Sequence, residues 1–232
     1  MTSSAPARVI LLTGPSGSGK SRLAARTGLP VVRLDDFYKD GDDPSLPALP
    51  SGAGTDWDSP ASWNGDRAVL ALRELCERGT AELPEYSIAR SARTGSHPLT
   101  LDGAPLVVAE GIFAAEIGAA CAELGLLADS ICLADRPTTH FRRRLARDVR
   151  ESRKPLPFLL RRGWALLRAE RSIVAHNAAL GAHCCDQRAA LRRIGDLAAA
   201  DRTAPAAPPA PRPRGEDGGR AGGASDTERL AA

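Results

Sequence analysis

Gly14-Pro15-Ser16-Gly17-Ser18-Gly19-Lys20-Ser21 follows directly on the apolar run Val9-Ile10-Leu11-Leu12. The octapeptide meets the pattern G-x-x-x-x-G-K-[ST] at every fixed position. That pattern works only where a buried strand runs into a glycine-rich turn and then a helix. Its glycines let backbone N–H groups close on phosphate oxygens, and the helix start favours the same anion. Lys20 is placed to reach the β- and γ-phosphates, and Ser21 to offer a hydroxyl to Mg²⁺. The chain is therefore expected to bind a nucleoside triphosphate through Gly14 to Ser21. The rest of the fold must be built around that strand, turn and helix.

Apolar runs and helical stretches alternate along the remainder. Arg8 to Thr13 reads as the first strand and Ser21 to Arg26 as the first helix, with Gly28 beyond its end. Pro30 to Leu34 reads as a second strand, ending in Asp35-Asp36-Phe37-Tyr38. Residues 40–56 are rich in Pro, Gly and Asp and form a long surface loop, a kind of segment that is often functional. Asp66 to Arg78 is amphipathic, with Val69, Leu72 and Cys76 on one face and Gly79 as its stop. Pro105 to Ala109 and Ile131 to Leu133 are further short strands. Pro137 opens a helix whose stripe is Phe141, Leu145 and Val149, and Pro155 and Pro157 break it. Residues 158–180 and 187–200 read as two more helices. Strands apolar throughout, alternating with helices, predict an α/β fold with a parallel sheet sandwiched between helices.

With 232 residues, the chain can hold one domain over 1–202 and a tail over 203–232. The tail is dominated by Ala, Pro, Gly, Arg and Asp, and cannot bury enough apolar surface to offset ordering entropy. A net charge of +3 and an aromatic content of 4% give no general case for nucleic-acid binding. No apolar stretch approaches a membrane span, and the N-terminal run is too short for a signal peptide. The cysteines, Cys76, Cys121, Cys132, Cys184 and Cys185, are odd in number and show no C-x-x-C spacing. Reduced structural thiols in a cytoplasmic protein are the expectation, with the Cys184-Cys185 pair at a helix end.

In open parallel sheets, ligands gather at the carboxyl ends of the strands. Three ends carry suitable chemistry: Gly14 to Ser21, Asp35-Asp36, and Glu110. Phosphoryl transfer needs positioning, Mg²⁺ and a base for the attacking hydroxyl. Asp35 or Asp36 could be that base, and Glu110 could hold Mg²⁺ directly or through water. From Arg136 to Arg171 there are twelve Lys/Arg against three acids. Arg144 and Arg147 neighbour each other on one flank of the Phe141 stripe. The segment around Arg150 to Pro157 reads as a lid, over about 150–165, able to close arginines over a triphosphate.

Taken together, these segments resemble the uridine kinase family of phosphate-loop nucleoside kinases. The wider group includes phosphoribulokinase, pantothenate kinase and nicotinamide riboside kinase. The resemblance runs from about Arg8 to Arg153. Leu34-Asp35-Asp36-Phe37-Tyr38-Lys39 looks like the family's Asp-x-Phe-Tyr segment, which implies Asp35 as base for a 5′-hydroxyl. Asp56-Trp57-Asp58-Ser59-Pro60 looks like its Asp-His-Pro segment, implying that Asp58 holds the ribose, with Ser59 where the family has His. Ala109-Glu110-Gly111-Ile112 looks like its Glu-Gly-Ile strand end. Arg143-Arg144-Leu145-Ala146-Arg147-Asp148 looks like its Arg-Arg-x-x-Arg-Asp helix, implying Arg144 on the substrate and Arg147 on the phosphates, with Arg153 in the lid. Tyr86 matches the family's tyrosine beside the base, whereas Ser91 replaces its base-reading His. The resemblance implies ATP (or GTP) as donor, Mg²⁺ as metal, and uridine or cytidine as acceptor. It leaves open another alcohol acceptor, such as nicotinamide riboside or pantothenate, a nucleotide-gated switch, and a homo-oligomeric state. No nucleic-acid or membrane partner is expected.

Overall fold

The computed structural model describes residues 6–52, 54–134 and 170–203. The helix expected from Pro137, with Phe141, Leu145 and Val149, the lid expected at about 150–165, and the tail expected beyond residue 203 lie outside the described residues. The central sheet contains β1 (Arg8–Thr13), β2 (Val31–Arg33), β5 (Leu106–Glu110), β6 (Leu127–Leu133) and β7 (His183–Cys185), in the order β2-β5-β1-β6-β7. Every pairing in it is parallel. β3 (Thr80–Ser87) and β4 (Ala92–Thr100) form a separate antiparallel hairpin.

Alternation along the strands builds two apolar layers. Val9 and Leu11 of β1, with Val107 and Ala109 of β5, face α2 (Gly65–Arg78) and α3 (Gly118–Glu123). Ile10, Leu12, Leu106 and Val108 face the other way, onto α1 (Lys20–Arg26) and α5 (Gln187–Thr203). A helix over residues 170–179, α4, precedes β7. Because both faces are covered, the strands read as continuous apolar runs. α2 buries Ala68, Leu72, Leu75 and Cys76, and Asn64 caps its start by accepting from the Arg67 N–H at 3.2 Å. The Cys76 thiol is pushed up to about 12 by that burial.

The fold is the expected α/β arrangement of the phosphate-loop class, with some changes of detail. β2 is shorter than Pro30 to Leu34, because Leu34–Phe37 winds into a 3-10 turn. β6 starts earlier than Ile131, at Leu127. Cys184 and Cys185 lie in β7, not at a helix end, with Cys184 paired to Cys132 of β6. All five cysteines are free thiols. Among the described residues, no helix is long and apolar enough to cross a membrane.

Candidate phosphate and acceptor site

The phosphate loop leaves β1 through Gly14, whose φ of +137° suits glycine alone. A Cβ there would lie 2.8 Å from the Leu133 carbonyl oxygen, so the loop is pressed against the end of β6. Gly19 has a φ of +92°, and a Cβ on it would meet Gln187 Nε2 at 2.7 Å. The Ser18 N–H donates to the Pro15 carbonyl at 3.1 Å, closing the turn. Ser18 Oγ is buried without a hydrogen-bond partner. Lys20 Nζ donates to the carbonyls of Gly14 (2.9 Å) and Pro15 (3.3 Å), which arches the loop around its buried side chain. Burial lowers the Lys20 pKa, and the carboxylates of Asp35 and Glu110 oppose that shift.

Register brings the acids to this loop. Glu110 pairs with Leu12 of β1 on one side and Arg33 of β2 on the other. It therefore sits between the phosphate loop and the Asp35 turn. Ser21 Oγ donates to Glu110 Oε1 at 2.8 Å. Burial raises the Glu110 pKa most strongly, the Ser21 hydrogen bond opposes this, and Asp35 adds to it. An exposed hydroxyl bonded to a buried carboxylate beside a phosphate loop suits Mg²⁺, which takes few protein oxygens and fills its shell with phosphate and water. Among the described residues there is no group of three or more His, Cys, Asp or Glu side chains that could hold a metal by themselves.

The two adjacent aspartates separate in space. Asp35 Oδ1 accepts from the Ile112 N–H at 3.2 Å, so its carboxylate is held on the Glu110 side. Gly111 makes this possible: a Cβ on it would meet Leu34 Cβ at 2.8 Å and Asp35 Oδ1 at 2.9 Å. Asp36 turns away, 3.6 Å from Arg33 Nε and toward the hairpin. Of the two candidate bases, Asp35 is the one whose charge acts on both Lys20 and Glu110.

An aromatic group adjoins Asp35. The Tyr38 ring lies 5.8 Å from Trp57, 5.9 Å from Tyr86 and 6.0 Å from Phe113. Tyr38 Oη donates to the Trp57 carbonyl at 3.2 Å, and Tyr86 Oη donates to the Lys39 carbonyl at 3.0 Å. Burial pushes the Tyr38 phenol up, and the charges of Asp35 and Asp58 push it further. Asp58 is exposed on its loop, next to Trp57, whose carbonyl accepts from Tyr38. Ser59 Oγ accepts from the Ala61 N–H at 3.3 Å and caps the short turn Pro60–Ser62. Ser91 stands at a φ of +46°, and its carbonyl accepts from Gly41 N–H at 2.6 Å. Arg144, Arg147 and Arg153 lie outside the described residues.

Three contributors escaped the sequence reading. Gln187 Nε2 donates to the Ser18 carbonyl at 2.8 Å, bridging 169 positions. Trp57 and Phe113 complete the aromatic group, and neither periodicity nor spacing singles them out.

No family model matches the chain. A uridine kinase of Saccharomyces cerevisiae is 32% identical over 114 residues, which are 46% of this chain and 22% of that protein. The chain resembles the uridine kinase family. The match thus spans about a fifth of the yeast enzyme's length. Among solved structures, a possible uridine kinase from Bacillus stearothermophilus is 17% identical, with a TM-score of 0.41, covering 59% of this chain and 76% of that one. Phosphoribulokinase from Rhodobacter spheroides is 16% identical, with a TM-score of 0.43, covering 76% and 68%. Scores this low add nothing to what the sheet order and the loop geometry already establish about the fold.

Proposed function

We propose that the chain is an ATP-dependent kinase that phosphorylates the 5′-hydroxyl of a nucleoside, with uridine or cytidine as acceptor. The observation that carries this reading is the convergence of Lys20, Ser21, Glu110 and Asp35 on one side of the sheet. A switch that only hydrolyses nucleotide needs no carboxylate anchored like Asp35, nor an aromatic wall beside it. The similarity to a uridine kinase supplies the acceptor class.

In this reading Gly14 to Ser21 wrap the triphosphate, and Lys20 exchanges its carbonyl partners for phosphate oxygens. Ser21 and Glu110 would hold Mg²⁺, which neutralises phosphate charge when bound. Asp35 takes the proton of the 5′-hydroxyl as that oxygen bonds to the γ-phosphorus. The bond from the γ-phosphorus to the bridging oxygen breaks, and ADP leaves. The Ile112 N–H keeps the Asp35 carboxylate aimed during transfer. Asp58 and Arg144 hold the ribose and Tyr86 flanks the base. Arg147 and Arg153 stabilise charge on the transferring group.

Asp35→Asn tests this directly, since an amide oxygen can still accept from Ile112. Turnover should fall by about 10²–10⁴-fold, the usual contribution of a general base. Nucleotide affinity, measured by calorimetry, should hold. Retention of more than a few per cent of turnover would remove Asp35 from the role.

A further inference from the structure

β1 is apolar from Val9 to Leu12 and then ends in a hydroxyl, that of Thr13, which is fully buried. By alternation Thr13 continues the face of Val9 and Leu11, toward the layer that holds Phe113 and Ala114. A hydroxyl buried there is costly unless it is bonded, and nothing in the mechanism above uses it. Its partner is the Ile112 carbonyl, to which Thr13 Oγ1 donates at 3.1 Å. The N–H of the same residue donates to Asp35 Oδ1 at 3.2 Å. Ile112 thus bonds the end of β1 through its carbonyl and the base through its N–H.

This brace has a firm footing. Pairing of β1 with β5 ends at Leu12 and Glu110, and the Gly111 N–H then donates to the Leu12 carbonyl at 3.2 Å. Beyond that bond β1 enters the phosphate loop, and the link to Ile112 is made by the Thr13 side chain. On its other side Thr13 pairs with Cys132 of β6. Gly14, the next residue, is pressed against Leu133 and accepts from Lys20 Nζ. One fixed point therefore carries the phosphate loop forward and the base turn sideways.

We propose that Thr13 is a positioning residue whose hydroxyl fixes Ile112, and through it the Asp35 carboxylate, at a set distance from the phosphate loop. The inference rests on the kinase reading above for its effect on turnover, but not for the brace itself. A valine would fill nearly the same space and favour the strand as well, so the hydroxyl is what Thr13 adds. Without it the Ile112 carbonyl is released, and the residue can drift with its N–H away from Asp35. Phosphoryl transfer asks the protein mainly for positioning. A group that fixes the base relative to the transferring phosphorus therefore acts on rate rather than on binding.

The test uses the full chain with Thr13→Val and Thr13→Ser, each alone and combined with Asp35→Asn, assayed with Mg·ATP and uridine. Thr13→Val should lower kcat by about tenfold, since a displacement of well under an ångström at a reacting group is felt in rate. Acceptor KM and Mg·ADP affinity should stay within about threefold. Thr13→Ser keeps the hydroxyl and should restore most of kcat. In the Asp35→Asn background, Thr13→Val should cost less than about twofold further, because Thr13 acts through Asp35. Hydrogen exchange at the Ile112 amide should quicken with valine and not with serine. Losses that multiply in the double variant would overturn the proposal, as would equal losses from valine and serine. A fall in Mg·ADP affinity matching the fall in kcat would also overturn it, by placing the effect in the phosphate loop. If the wild-type chain phosphorylated no acceptor, the kinase reading would fall, and exchange at Ile112 would decide the brace alone. Quickened exchange in Thr13→Val upholds it, and unchanged exchange overturns it.

Discussion

Gly111→Ala should damage turnover out of proportion to its size. The added Cβ would lie 2.8 Å from Leu34 Cβ, about 0.6 Å inside ordinary contact. Leu34 Cβ is attached to the backbone and cannot swing aside as a side-chain tip could. It would also lie 2.9 Å from Asp35 Oδ1, the oxygen that the Ile112 N–H holds. The turn Leu34–Phe37 must therefore move, and Asp35 moves with it. Overpacking of this kind costs about 1–3 kcal/mol. For a domain of this size that lowers Tm by roughly 2–4 °C per kcal/mol. A displacement approaching an ångström at a reacting group costs about 10²-fold in rate. A melting curve and a coupled ADP-release assay measure the two effects, and calorimetry with Mg·ADP serves as control. Turnover should drop by about one to two orders of magnitude, while nucleotide affinity changes little, because the phosphate loop is untouched. A variant with wild-type turnover would refute the claim that the Asp35 carboxylate is placed by this close packing.

Three further outcomes follow from the same geometry. Glu110→Gln should abolish turnover yet raise Tm at neutral pH, since burial holds the native carboxyl above its ordinary 4.5 and so disfavours the charged form. A raised acid pKa means that stability is lost as pH rises, so the Tm advantage of the variant should fade below about pH 4.5, seen in melts across pH. Gln187→Ala should weaken nucleotide binding by about 5–10-fold, the scale of one lost hydrogen bond, without moving acceptor KM. Leu72→Ala on α2 should cost about 2–5 kcal/mol in denaturant unfolding while leaving the Mg·ADP affinity of the folded fraction intact.

Much of the frame was legible because its signals are local. The run Val9 to Leu12 into Gly14-Lys20-Ser21 defines strand, turn and helix within a few residues. Leu106 to Glu110 is wholly apolar until its functional end, so the strand and the acid announced each other. The hairpin was invisible for physical reasons. β4 is polar along most of its length, and β3 and β4 contain Pro84 and Pro98, which a pair of edge strands tolerates and a central strand would not. β7 has only three residues and exists because β6 offers it an edge. The choice between Asp35 and Asp36 could not come from the residues alone. Two neighbouring carboxylates are told apart only by the partner each one finds, the Ile112 N–H for Asp35 and the Arg33 guanidinium for Asp36. Gln187 was hidden similarly, since its bond to Ser18 depends on how α5 packs beside the phosphate loop.

The central claim is that this site moves phosphate from nucleotide to a nucleoside hydroxyl. The most direct measurement is coupled ADP release from Mg·ATP with uridine, cytidine, nicotinamide riboside, pantothenate or no acceptor. The account predicts release stimulated by uridine or cytidine, with the 5′-monophosphate as product and little release without acceptor. Stimulation by another acceptor alone would contradict the pyrimidine assignment, and release indifferent to every acceptor would contradict the kinase itself.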